Sequence, residues 1–197
     1  QRLALTRRDD IVPLMAGTYA HLGSADVAFE HLIIEAPWAF WQYLGPDDPD
    51  FNCETIPGES ASDQEILDYL DDVVGIDYLV SDATIDDYAA YYYQAATQLG
   101  DYLPPESLIA DLLRYPGTDT SQTYAPKDVD LPYDNSAVID TLAWVADEAT
   151  DIAFIYGEFD PWTAGAIAAP TRTAVQKYEV ARGYEPVVTR SAHFIVD

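Results

Sequence analysis

The chain has 197 residues, the size of one ordinary domain, and 9 basic against 35 acidic side chains give a formal net charge of −26. This charge excludes a conventional nucleic-acid binder, because phosphate contacts need clustered Lys and Arg, and an anionic membrane surface would repel the chain. The hydrophobic fraction of 49% is too high for a disordered acidic tail. The sequence contains no run of about 18 apolar residues, so no membrane-spanning helix is predicted.

Residues 1–130 have the pattern of helices joined by Pro- and Gly-containing loops. A helix is predicted over residues 24–44, with a kink or a second short helix at Pro37, since proline removes a backbone donor. After an acidic loop, Ser62 and Glu65 form a capping box that starts the next helix, and Gly75 supplies its end.

Further helices follow up to residue 148. Thr84 and Asp87 predict the start of a Tyr- and Ala-rich helix that ends near Gly100. The run 104–106 (Pro-Pro-Glu) predicts a shorter helix ending before Tyr115. Loop chemistry then extends over residues 117–133, and Ser136 caps a helix that runs to about residue 148.

The pattern changes at Ile152–Tyr156, a short apolar run typical of a strand buried on both faces of a parallel sheet. Weaker strand candidates are Tyr178–Ala181 and Pro186–Val188. We therefore predict a chain that is mostly α by residue count: a helical region over residues 1–135, followed over residues 136–197 by the C-terminal part of an α/β domain.

Asp160 and His193 are the candidate catalytic residues. Asp160 follows the predicted strand, where functional groups gather in open α/β sheets, and His193 is the histidine downstream of it. This order matches the last two triad members of α/β-hydrolases, in which the carboxylate orients the imidazole base. The alternatives are an Asp that caps a turn and an exposed His near the chain end.

A nucleophile is missing from this pattern. The string Gly58–Ser62 lacks the final glycine of a Gly-x-Ser-x-Gly elbow and follows Pro57 instead of a strand. There is no Walker loop, no dinucleotide glycine fingerprint and no Cys/His array for zinc, so we predict neither a cofactor nor a metal. Cys53 either pairs with a cysteine on another chain or missing segment, or remains a free thiol.

Four segments resemble, in the same order, the secreted bacterial tripeptidyl aminopeptidases, a family that includes the prolyl tri- and tetrapeptidyl aminopeptidases. They are Glu30–Tyr43, Tyr91–Gly100, Asp111–Gly117 and Tyr156–Gly165, and together they span most of the chain. After Gly165 the sequence departs from the family pattern, since His193 lies further downstream than the family places its histidine. The base is therefore either His193, displaced by an insertion, or lost.

The resemblance implies a serine peptidase with an α/β-hydrolase core and a helical cap. Asp160 would be the triad acid, and the nucleophilic Ser would lie before Gln1, on an N-terminal part of the same enzyme, so that this chain alone would be inactive. Gln1 and Arg2 enter an apolar run without an initiator Met or a secretory signal, so we expect a processed chain or a fragment. The resemblance also implies secretion and proteolysis of peptide substrates.

An aminopeptidase must bind a protonated amine, for which a carboxylate and aromatic walls are suited. Glu35 with Trp38, Trp41 and Tyr43 is the candidate cluster, and Glu158 is a second acidic option. The alternative for each aromatic residue is simple packing of the cap. A different class of function is also open: a non-catalytic acidic interaction module or a degenerate pseudo-peptidase.

Overall fold

The computed structural model describes residues 1–100 and 103–167, together with the backbone of Val175–Val180 and His193–Val196. The chain forms two compact units. The first consists of Gln1–Pro37 and Glu54–Asn135, and the second of Trp38–Cys53 and Ser136–Asp197. The predicted domains of a hydrolase, 1–135 and 136–197, stay a prediction, as does the α/β-hydrolase class itself.

The first unit is helical around an aliphatic core. Phe29, Leu32 and Ile33 of its longest helix are completely buried, and Val80 and Ile85 pack into the same cluster. The helices are α1 (Arg2–Thr6), α2 (Arg8–Ile11), α3 (Ala25–Ala39, which ends in the second unit), α4 (Asp63–Val74), α5 (Ile76–Val80), α6 (Asp82–Asp87), α7 (Ala89–Gln94) and α8 (Ser121–Tyr124), with a 3₁₀ turn at Val12–Leu14 and a π-helical turn at Ala95–Leu99.

Pro37 lies inside α3, and the helix continues past it instead of ending. Proline cannot donate to the carbonyl four residues earlier, which is that of Ile33. The side-chain amide of Gln1 donates to this carbonyl oxygen at 2.9 Å, so the lost helical bond is replaced. In place of the predicted second short helix, a π-helical segment, Phe40–Leu44, follows directly.

The predicted capping box of α4 is confirmed. The Glu65 amide donates to Ser62 Oγ at 3.2 Å, and the Ser62 amide donates to Glu65 Oε2 at 2.7 Å. Gly75 ends the helix with a positive φ of 79°, a conformation that glycine adopts without a Cβ penalty.

Replacing Ser62 by Ala is expected to destabilise the first unit by about 1 kcal/mol, because the amide of Glu65 loses its acceptor at the helix start. Chemical denaturation followed by circular dichroism would measure the loss. Ser60→Ala, a change of the same type in the preceding loop, is the control and should cost less than half as much.

Two helix predictions between residues 76 and 120 differ from the structure in different ways. The Tyr- and Ala-rich helix ends at Leu99, before Gly100, as predicted, but its start is wrong: Ser81 caps a separate helix, α6, and α7 begins at Ala89. The segment after Pro104 forms turns instead of a helix. The amides of Ile109 and Leu112 donate to carbonyls three residues earlier, at 3.0 and 2.8 Å, as in successive tight turns.

The second unit contains α9 (Ser136–Asp147), β1 (Ile152–Gly157), a 3₁₀ turn (Pro161–Gly165), β2 (Val175–Val180) and β3 (His193–Val196). The strand order is β2-β1-β3, with β1 parallel to β2 and antiparallel to β3. The predicted helix at Ser136 and strand at Ile152 are confirmed, and β2 overlaps the candidate Tyr178–Ala181. The candidate Pro186–Val188 lies outside the described residues.

In β1 the side chains of Ile152, Phe154 and Tyr156 are buried, and the two between them are half-buried. Val145 and Ala149, from the end of α9 and the residues that follow it, complete this smaller core. Within the described residues, no helix is long and apolar enough to cross a membrane.

Candidate active site

Asp160 lies in the turn that follows β1 and is only 7% exposed. Its Oδ1 accepts a hydrogen bond from the amide of Trp162 at 3.0 Å, and its carbonyl accepts one from the amide of Thr163 at 2.9 Å. Thr163 Oγ1 in turn donates to the carbonyl of Gly157 at 2.8 Å. These bonds hold the carboxylate just beyond the carboxyl end of a buried strand, as the sequence predicted. Asp160 also caps the 3₁₀ turn that follows, which is the alternative role given in the sequence analysis.

Burial raises the pKa of Asp160 above its usual value, and the hydrogen bond from the Trp162 amide acts in the opposite direction. A buried carboxylate that accepts one amide hydrogen bond is stabilised further by a positive or hydrogen-donating neighbour. The electrostatic environment of Asp160 is therefore suited to an imidazole that becomes protonated during a reaction.

Aromatic side chains surround the turn that carries Asp160. The ring centroids of Trp38 and Trp162 are 5.7 Å apart, and those of Trp41 and Phe159 are 5.9 Å apart. Trp162 Nε1 also donates to Gln42 Oε1 at 3.1 Å. The predicted residues Trp38 and Trp41 thus pack against the turn of Asp160, and Gln42 and Phe159 join them although the sequence analysis did not single them out.

The remaining predicted aromatic residue and the second acidic candidate are at the surface of the second unit. Tyr43 is 37% exposed and Trp41 39% exposed, so each has part of its ring available to a ligand. Glu158 is exposed in the same turn as Asp160.

The backbone places His193 at the first position of β3, opposite Ile155 of β1. Because β3 runs antiparallel to β1, the start of β3 lies beside the part of β1 that leads to Asp160. The His193 side chain is outside the described residues, so its predicted hydrogen bond to Asp160 stays a prediction.

Glu35 lies in the first unit, buried at 7% exposure, and its carboxyl meets that of Asp119. Asp119 is 6% exposed, and its pKa is raised well above the usual value, first by burial and then by the charge of Glu35. Sequence reasoning missed Asp119, because it lies in a polar loop without any local motif. The structure thus pairs the predicted amine-binding carboxyl with a second buried carboxyl.

The same buried region contains His31 of α3. It is completely buried, and its Nδ1 lies 2.8 Å from the hydroxyl of Tyr124. Burial lowers the pKa of His31 to about 4, so its imidazole is neutral at neutral pH. The phenol of Tyr124 also donates to Asp119 Oδ1 at 3.0 Å.

No group of three or more His, Cys, Asp or Glu side chains in residues 1–100 and 103–167 is arranged to hold a metal ion. Cys53 is exposed in the second unit, and its predicted pairing is untested.

Comparison with known proteins identifies the family of this chain. The sequence profile of the PS-10 peptidase S37 family matches residues 9–182. The chain therefore belongs to this family of peptidases, which confirms the resemblance seen in the sequence.

A particular relative is the prolyl tri/tetrapeptidyl aminopeptidase of Streptomyces mobaraensis. It is 35% identical over 170 residues, which cover 83% of this chain and 35% of the relative. The chain thus spans about a third of the length of the curated relative that it matches. No solved structure matches the chain.

Proposed function

We propose that the chain is the C-terminal part of a secreted serine aminopeptidase that releases tri- or tetrapeptides from the amino termini of its substrates. The observation that carries this proposal is the buried Asp160 at the end of β1, in a chain similar over most of its length to an aminopeptidase of that specificity. The nucleophilic Ser is assigned to an N-terminal part that is absent from this chain, and this chain alone is inactive.

In this mechanism the Ser of the N-terminal part attacks the scissile carbonyl, and His193 accepts the serine proton. Asp160 holds the imidazole in the required tautomer and stabilises the imidazolium that forms. The acyl-enzyme then reacts with water, with His193 returning the proton in each half of the reaction. Backbone amides of the N-terminal part supply the oxyanion donors.

The burial of Asp160 supports this role. Since burial raises the pKa of its carboxyl, its ionised form is not fully compensated by the single amide bond from Trp162. A positive imidazolium gains more from such a carboxylate than from a fully hydrated one, because the interaction is less screened. The bond from Trp162 at the same time favours one orientation of the carboxylate.

Substrate binding is assigned to the predicted cluster. Glu35 attracts the protonated amino terminus, and the partly exposed rings of Trp41 and Tyr43 hold apolar or proline side chains by packing and cation–π contact. Trp38 positions the turn of Asp160 through Trp162, and Glu158 is the second acidic group for a cationic substrate.

The test compares peptides that have a free amine with N-acetylated peptides of the same sequence, using the full-length protein that contains this chain. Hydrolysis is expected only for the free-amine series, and a fluorophosphonate probe is expected to label one Ser outside residues 1–197. Equal hydrolysis of both series, or no labelled Ser, would contradict the proposal and favour a non-catalytic acidic module.

Glu35→Gln is expected to raise KM for free-amine peptides by about 10- to 100-fold with little change in kcat, the effect of losing one charged hydrogen bond. Glu59→Gln, at an exposed position of the same unit, is the matched control and should leave KM unchanged. An unchanged KM in Glu35→Gln would remove Glu35 from the binding site while leaving the triad assignment intact.

A further inference from the structure

A continuous chain of hydrogen bonds runs through the buried side of the first unit. Thr118 Oγ1 donates to the carbonyl of Tyr115 at 2.7 Å and lies 3.0 Å from His31 Nε2. At the other ring nitrogen, His31 Nδ1 lies 2.8 Å from the phenol oxygen of Tyr124, which donates to Asp119 Oδ1 at 3.0 Å. His31 is on α3, whereas the other residues belong to the stretch from residue 115 to α8.

This series of hydrogen bonds has one donor proton fewer than it has contacts. The hydroxyl protons of Thr118 and Tyr124 are both used, so each contact of His31 would need an N–H from the imidazole. Only an imidazolium has two such donors, and burial of His31 holds its pKa at about 4, which keeps the ring neutral at neutral pH. Protonation of Asp119 would supply the missing donor. A protonated Asp119 can donate to the Tyr124 oxygen, and the phenol proton of Tyr124 can then donate to His31 Nδ1.

The carboxyl pair needs a proton for a second, independent reason. Asp119 hydrogen-bonds with Glu35, yet two ionised carboxylates are both acceptors and cannot bond to each other. Asp119 Oδ2 is buried and meets no other donor among the described residues. A proton on either carboxyl would supply the donor that the contact between Asp119 and Glu35 needs.

We infer that Asp119 and Glu35 share at least one proton at neutral pH, and that its loss weakens the attachment of residues 118–124 to α3, so that this contact is a pH-sensitive switch in the first unit. Two buried like charges in contact cannot both be ionised without a large penalty, which the loop can relieve by moving into water. This inference does not depend on the proposed function, because its readout is structural.

The groups that face the pair decide the direction of the pH effect. Helix α3 contributes Glu35 itself and His31. The other groups are the phenols of α7 and α8 and one loop carboxylate: Tyr91, Tyr92, Tyr124 and Glu106. The acidic neighbours favour retention of the proton. Because the pKa of Asp119 is raised on folding, its contribution to stability is complete below its unfolded pKa of about 4 and is lost as the pH rises through the folded pKa.

The neutral imidazole of His31 acts in the opposite sense. Its pKa is lowered on folding, so its contribution is complete above about pH 6.5 and is lost as the pH falls through about 4. The two effects can be separated by substitution at Asp119, which leaves the His31 effect in place.

The experiment measures hydrogen exchange of the amides in residues 118–124 between pH 4 and 9 in the full-length protein, corrected for the intrinsic exchange rate. In the wild type, the equilibrium constant for opening is expected to rise with pH by up to about tenfold per unit, the limit for one linked proton. In Asp119→Asn the side chain has no proton to lose, and its amide has both an N–H that can donate to Glu35 and an oxygen that can accept from Tyr124. The rise with pH is therefore expected to disappear.

Glu35→Gln is a second variant with the same expected result, because its amide has an N–H to donate to the Asp119 carboxyl. Asp128→Asn, at an exposed position just beyond α8, is the control and should keep the wild-type pH dependence. An opening constant that rises equally in the wild type and in both pair variants would overturn the inference, as would a wild-type constant without any rise. Loss of peptidase activity in any variant leaves this readout unaffected, so failure of the proposed function and failure of the switch are distinguishable.

Discussion

Asp160→Asn in the full-length protein is expected to lower kcat for free-amine peptides by roughly 10⁴-fold, with KM nearly unchanged. Asn keeps the shape of the side chain and accepts the hydrogen bond from the Trp162 amide, so the 3₁₀ turn at Pro161–Gly165 remains capped. Its amide, however, carries no charge to stabilise an imidazolium and can hold His193 in the wrong tautomer. Steady-state kinetics at the pH of maximal activity measure the effect.

Asp140→Asn on α9 is the matched control, since this side chain is exposed in the same unit. It should retain wild-type kcat, and both variants should unfold at the same temperature as the wild type. If Asp160→Asn lost less than tenfold in kcat while remaining folded, Asp160 would be a capping residue alone. The triad assignment would then fail even though the chain belongs to a peptidase family.

Local signals in the sequence predicted the elements that depend on neighbouring residues. The capping box of Ser62 and Glu65 and the apolar run of β1 both act within a few positions, and the structure contains both. The position of Asp160 follows from the same kind of signal, because a strand end and a proline fix the turn that carries it. These features are encoded within about ten residues of one another.

The contacts that sequence reasoning missed join distant parts of the chain. Tyr124 lies 93 positions after His31, and Trp162 lies 120 positions after Gln42. A spacing rule for helices or strands gives no information over such separations, so Asp119 could not be recognised as the partner of Glu35. The helix expected after Pro104 is replaced by turns, and the Arg114 amide at its expected end donates to a carboxylate 84 positions earlier, a contact that no local propensity represents.

Replacing Glu30 by Gln is expected to destabilise the first unit by about 3–5 kcal/mol, the range for breaking a buried ion pair. Glu30 supplies the distant carboxylate to which the Arg114 amide donates. Glu30 is completely buried, and its Oε2 accepts from Arg8 Nη2 at 2.5 Å. The same carboxylate accepts from the amides of Arg114 and Tyr115 at 2.8 and 2.7 Å. Gln can serve these donors with one oxygen only, and its amide group would face the guanidinium with a second set of donors.

The larger part of this loss comes from Arg8, which is 2% exposed and would remain charged without its partner. Arg8 Nη1 is 3.7 Å from Asp26, too far for a hydrogen bond, so this second carboxylate compensates the charge only in part. The double variant Arg8→Met with Glu30→Gln should therefore recover part of the lost stability, because it removes the buried charge. Native-state hydrogen exchange at the α3 amides measures each step of this double-mutant cycle. A loss below 1 kcal/mol in Glu30→Gln, or no recovery in the double variant, would mean that the ion pair is not what attaches residues 112–115 to α3.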